Sequence, residues 1–61
     1  MGGRIQTLRK KKQLSQEELA EQAGIHRTYI GAVERGEKNA TIETLEKIAS
    51  ALNIKVGELF D

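Results

Sequence analysis

No cysteine occurs among the 61 residues. Neither a disulfide framework nor a thiolate metal site can therefore strengthen so small a domain. The lack also fits a reducing compartment. Proline is absent too, and His26 is the only histidine. An isolated imidazole with no thiol and no second imidazole has no partner for ligating a metal. No apolar run approaches the roughly 20 residues of a membrane span, and the first residues hold no signal-peptide apolar stretch. The expectation is a soluble cytoplasmic domain with no membrane partner, no metal and no cofactor. Catalysis has little to stand on: there is no cysteine nucleophile, no second histidine and no phosphate-cradling glycine loop. Ser15 and Ser50 read as a cap and a helix-surface residue, and the glutamates as partners of lysines on helical faces. The expectation is that the chain is not an enzyme.

Charge, by contrast, is plentiful but nearly balanced, with ten basic and nine acidic side chains and a net charge of +1. Its distribution says more than its sum. Arg4, Arg9, Lys10, Lys11 and Lys12 fall within the first twelve residues without an acid among them, whereas acids outnumber bases from Thr41 onward. A molecule with one basic and one mildly acidic side is expected.

The most informative stretch is SQEELAEQAGIHRTYIGAVERG, residues 15–36. Ser15 can cap a helix while Glu18, three residues on, returns a bond to the Ser15 amide. Leu19, Ala20 and Ala23 share one helical face. Gly24 stops that helix, because glycine takes the left-handed conformation without a Cβ clash. Tyr29, Ile30 and Val33 then repeat at helical spacing until Gly36. Two helices meeting across so tight a turn cannot lie antiparallel, and a helix-turn-helix corner is expected. Such a corner lets one helix brace a phosphate backbone while the next enters a DNA major groove.

An all-α domain of five helices follows from the rest of the pattern. Residues 1–3 read as a flexible lead, and residues 4–61 as one domain. Helix 1 is expected over 4–12, helix 2 over 16–23 and helix 3 over 27–35, followed by a polar loop over 36–40. Thr41 is the expected cap of helix 4, whose Ile42, Leu45, Ile48, Ala49 and Leu52 form an apolar stripe. Asn53 suits its stop. A short fifth helix over 56–60 would offer Val56, Leu59 and Phe60 to the core. Ile5, Leu8, Leu14, Ile25 and Ile54 complete the expected apolar set. With so few apolar residues already needed for packing, no separate cofactor cavity is expected.

The strings LRKKKQLSQEELAEQAGI, YIGAVERGEKN, TIETLEKIASALNI and the closing ELF resemble the phage-repressor helix-turn-helix family of the Xre or Cro type. The likeness covers residues 4–60. RTYIGAVERGEKN, with TIETLEKIA behind it, is similar to the controller proteins of restriction–modification systems. The resemblance implies a compact lambda-repressor-like, five-helix DNA-binding domain. It also implies a structural ion pair between Arg9, near the end of helix 1, and Glu34, near the end of helix 3. A guanidinium there offsets the cost of an anion at a helix carboxyl terminus. Gln16 matches a phosphate contact of the family.

Docked in this way, helix 3 points its first turn into the groove, so Arg27 and Thr28 are the expected base contacts. Arginine can bond guanine O6 and N7 together, and threonine offers a hydroxyl and a methyl group. A cation at a helix amino terminus opposes the dipole, which hints that Arg27 is kept for function. Ala32, one turn past Thr28, could meet a thymine methyl. Gly31 beside it costs about 1 kcal/mol against alanine, which calls for a close approach. Relatives that carry a long polar side chain at one of these positions differ here, leaving Arg27 an unusual share of direct readout. Gln16, His26, Tyr29, Lys38, Asn39 and Thr41 are the expected contacts to the DNA backbone. His26 also caps helix 3. Tyr29 has two readings, half-buried core with a wet hydroxyl or a phosphate contact, and Lys38 has a base edge as its alternative.

The expected function is a sequence-specific, double-stranded-DNA-binding regulator of transcription, a repressor or autoregulator. One domain reads few base pairs, so a homodimer, at least on DNA, is expected on a near-palindromic operator, meeting through residues 52–60. The competing class is a protein-interaction module, an antitoxin or adaptor. Arg27 and Thr28, flanked by Gln16 and Lys38, speak against that as the sole role.

Overall fold

The computed structural model describes residues 1–60; Asp61, part of the expected domain, lies outside the described residues. Four α-helices, α1 (Gly2–Lys11), α2 (Gln16–Ala23), α3 (Arg27–Glu34) and α4 (Ile42–Ala51), are followed by a 3-10 turn (Val56–Leu59). There is no β-strand among the described residues. α2 packs on α3 and α4, α1 on α3, and the 3-10 turn on α4. Ile5, Leu19, Ile30, Leu45, Ile48, Leu52 and Leu59 are fully buried where these elements meet. Leu8, Leu14, Ile25, Ile54 and Val56 lie half-buried around them.

The start of α2 shows how short helices hold here. Ser15 Oγ accepts from the Glu18 amide at 3.0 Å, and the Glu18 carboxylate accepts from the Ser15 amide at 2.8 Å. Ser15→Ala removes the first bond and is expected to cost about 1 kcal/mol. In a domain of this size that lowers the melting temperature by roughly 4–8 °C. An unchanged melting curve would mean that the box contributes nothing.

One closing device recurs at all four helix ends. A residue in the left-handed region turns the chain back, and the next amide bonds the carbonyl five residues earlier. Gly24 (φ 72°), Gly36 (φ 75°) and Asn53 (φ 58°) serve α2, α3 and α4, and Gln13 (φ 59°) serves α1. The returning amides are those of Leu14, Ile25, Glu37 and Ile54, at 2.9–3.1 Å from their carbonyls.

Three expectations require correction. The fifth helix is a single 3-10 turn, closed by Glu58 N–H to Lys55 O (2.9 Å) and Phe60 N–H to Gly57 O (3.2 Å). Four residues around a glycine are too few to establish an α-helix. The supposed lead over 1–3 is part of the fold, because α1 begins at Gly2. A Cβ at Gly2 would collide with the carbonyl oxygens of Val33 and Glu34, so only glycine lets α1 approach α3 this closely. Ile42 and Phe60, placed in the core by their spacing, are 64% and 47% exposed. Ile42 opens α4, where the apolar stripe runs past the edge of the core.

Candidate nucleic-acid interface

The corner between α2 and α3 turns on Gly24 and is locked by the Ile25 amide bonded to Ala20 O at 2.9 Å. His26 then starts α3, its Nδ1 accepting from the Thr28 amide at 3.3 Å. Capping through Nδ1 places the neutral ring's proton on Nε2, so His26 serves α3 first. Arg27 and Thr28 occupy the first turn of α3 and are both exposed. The Arg27 guanidinium lies 3.9 Å from the Glu17 carboxylate, with both side chains mostly in solvent (67% and 75% exposed). A tether of that length and exposure holds weakly.

Arg27 and Thr28 line a shallow depression together with Gln16, Gly31 and Arg35. The first turn of α3 and the first turn of α2 thus present polar groups to one concave face. Gly31 is buried on this face, with a would-be Cβ 3.0 Å from Arg35 Nη1 and 3.4 Å from Gln16 Oε1. The close approach that its glycine suggests is made by the protein's own side chains. Ala32 is half-buried.

Glu34 anchors the arrangement from beneath. Its carboxylate accepts from Arg9 Nε at 2.7 Å, from Arg9 Nη2 at 3.0 Å and from Gln16 Nε2 at 3.0 Å. Arg9 Nη1 donates to Leu14 O at 2.7 Å. The two charged side chains are 9% and 1% exposed. No buried side-chain polar atom among the described residues lacks a partner. Gln16, expected at a phosphate, therefore has a structural bond as well, joining the start of α2 to the end of α3. An amide carries a second N–H, so this bond leaves it a donor for an outside acceptor.

The loop after α3 gathers the other expected contacts. Tyr29 is half-buried against the core, and its hydroxyl donates to Asn39 O at 3.3 Å. The Lys38 ammonium sits 5.7 Å from the centre of the Tyr29 ring, within cation–π range. Thr41 spends its hydroxyl on α4: it accepts from the Thr44 amide at 3.1 Å and donates to Thr44 Oγ1 at 3.0 Å. Its side chain thus serves the α4 cap while remaining exposed. Lys38 and Asn39 are exposed.

Two residues of this region escape the sequence reading. Arg35 Nε and Nη2 donate to the two Glu37 carboxylate oxygens at 3.0 and 3.1 Å. That bond, and then the guanidinium charge, hold the Glu37 carboxyl below the usual carboxylate range; Arg35 is raised in turn. Arg35 lies four residues after Gly31, which is the one signal in the sequence that both belong to one face.

Comparison with known proteins places this geometry. A family model described as helix-turn-helix matches residues 5–59. Control protein C.SmaI of Serratia marcescens is 53% identical over 55 residues, covering 90% of this chain and 66% of that relative. The chain thus spans just under two thirds of that protein's length. The restriction–modification controller protein C.AhdI of Aeromonas hydrophila superposes with a TM-score of 0.95 at 47% identity, over 97% of this chain and 89% of that one. SinR, a master regulator for biofilm formation crystallised in complex with DNA, superposes with a TM-score of 0.93 at 41% identity, over 98% and 97% of the two chains.

Proposed function

The chain belongs to the helix-turn-helix family, and on that footing we propose that it is a sequence-specific DNA-binding regulator of transcription. In this reading the first turn of α3 enters the major groove of double-stranded DNA, where Arg27 and Thr28 read base edges and Ala32 flanks them. Gln16, His26, Tyr29, Lys38, Asn39, Thr41 and the amides at the start of α4 hold the sugar-phosphate rails. Repression or autoregulation is the expected output. The observation that carries the proposal is the exposure of Arg27 and Thr28 on one depression with Gln16. Arg27 there opposes the α3 dipole, a cost that the fold does not need. Selection of bound sites from random duplexes at stated salt tests it. An enriched, near-palindromic site is expected, and a pool that stays random overturns it.

Two copies are part of this reading. A domain 23 Å across covers about seven base pairs at 3.4 Å each. A near-palindrome with half-sites about one helical turn apart then calls for a homodimer. Leu52 and Leu59, at the expected contact, are fully buried. Of the other apolar residues in that stretch, Ile54 and Val56 are half-buried and Phe60 is exposed. Sedimentation of the chain with the selected duplex is expected to give two protomers per site, and one protomer per site would refute this.

Lys38→Ala separates positioning from readout. If Lys38 neutralises one phosphate, its loss weakens all sequences alike and lowers the salt slope of log K by about 1. A changed sequence preference would assign Lys38 to a base edge instead.

A further inference from the structure

The end of α3 departs from the other three helix ends. The residue whose amide closes each helix is apolar and packed on the core at Leu14, Ile25 and Ile54. At α3 it is Glu37, exposed and turned onto Arg35. Such closures are frequently accompanied by an apolar contact, so the carboxylate here adds nothing to packing. It meets the guanidinium with two parallel bonds, the fork geometry in which arginine also grips a phosphate. The third nitrogen, Nη1, lies over Gly31 within the depression shared by Gln16, Arg27 and Thr28. A Cβ at position 31 would stand 3.0 Å from Nη1, so a larger residue there would push the guanidinium aside by a few tenths of an ångström.

We propose that Arg35 is a further cation of the DNA-binding face and that Glu37 is its intramolecular counter-ion, occupying the guanidinium in place of a DNA phosphate until the duplex displaces it. This rests on the DNA-binding reading above. The exchange is one anion for another on the same fork, with no change in covalent structure. Glu37 thereby sets the affinity below what the cations alone would give. It penalises specific and non-specific DNA in the same proportion, because either must break the pair to reach the guanidinium. The result is a lower occupancy of random sequence at a given concentration.

The test is a double-mutant cycle read by fluorescence anisotropy, using the selected duplex and a scrambled one across a salt series. Glu37→Gln keeps the shape of the side chain and is expected to tighten both duplexes about two- to fivefold, the range of an exposed ion pair. Arg35→Ala is expected to lower the salt slope by about 1. In the Arg35→Ala background Glu37→Gln should change affinity by less than about 1.5-fold, as expected when the two act as one unit. Equal tightening in both backgrounds would mean plain repulsion between carboxylate and DNA, and would overturn the proposal. So would an unchanged or weakened Glu37→Gln variant. Arg27→Ala, measured alongside, separates the two levels. If it weakens binding while Glu37→Gln does nothing, this inference fails alone. If neither alters binding, the DNA-binding reading fails and takes this inference with it.

Discussion

Glu34→Ala is expected to destabilise the domain by about 3–5 kcal/mol, the cost of leaving a buried charge without its partner. Arg9 would keep only its bond to Leu14 O, and the Gln16 amide would lose its acceptor. A chain of 61 residues has a total stability of roughly 3–9 kcal/mol at 0.05–0.15 kcal/mol per residue. The loss therefore removes between about a third of that stability and all of it, visible as a collapsed urea midpoint and, at the low end, as lost helical circular dichroism at 25 °C. The position of the pair explains why the loss is so large. It joins α1, α3 and the start of α2 at one point, and α1 has few other partners. Replacing both charges at once, Arg9→Met with Glu34→Leu, should restore most of the stability, because a buried ion pair is often no better than apolar side chains of similar volume. A Glu34→Ala variant within 1 kcal/mol of the parent would mean that water reaches Arg9 and screens it.

How far these features could be read from the sequence depends on how far apart in the chain the interacting residues lie. The Ser15–Glu18 box, the turn at Gly24 and the stop at Asn53 are local, and local chemistry decides them. The same turn at Gln13 carries no such signal: a glutamine is placed at φ 59° because Leu14 must reach the core. Apolar spacing names a face but not where the core ends, which is why Ile42 and Phe60 point outward. Gln16 looks like any polar residue at a helix start. Its bond to Glu34 spans 18 residues and exists only once α2 and α3 have docked. Gly31 shows the same limit from the other side. Its cost inside a helix signals a close approach, but not whether the approaching group is DNA or the guanidinium of Arg35.

Arg27→Ala is expected to weaken binding to the selected site by about 1–3 kcal/mol and to relax preference at one base pair, the loss of a bidentate guanine contact. Binding to scrambled duplex should fall much less, because only the general electrostatic attraction is reduced. Stability should move the other way. Removing a cation from the first turn of α3 relieves its opposition to the dipole, an effect of roughly 0.3–1 kcal/mol. The bond to Glu17 forfeited in exchange is long and solvent-exposed, and pairs of that kind contribute little. A residue whose removal leaves the melting temperature level or higher while specific affinity drops is held for its ligand rather than for the fold. Retained base-pair preference in the Arg27→Ala variant would move the readout to Thr28 and the Lys38 loop. Lost stability together with lost binding would make Arg27 a structural residue of the α2–α3 corner.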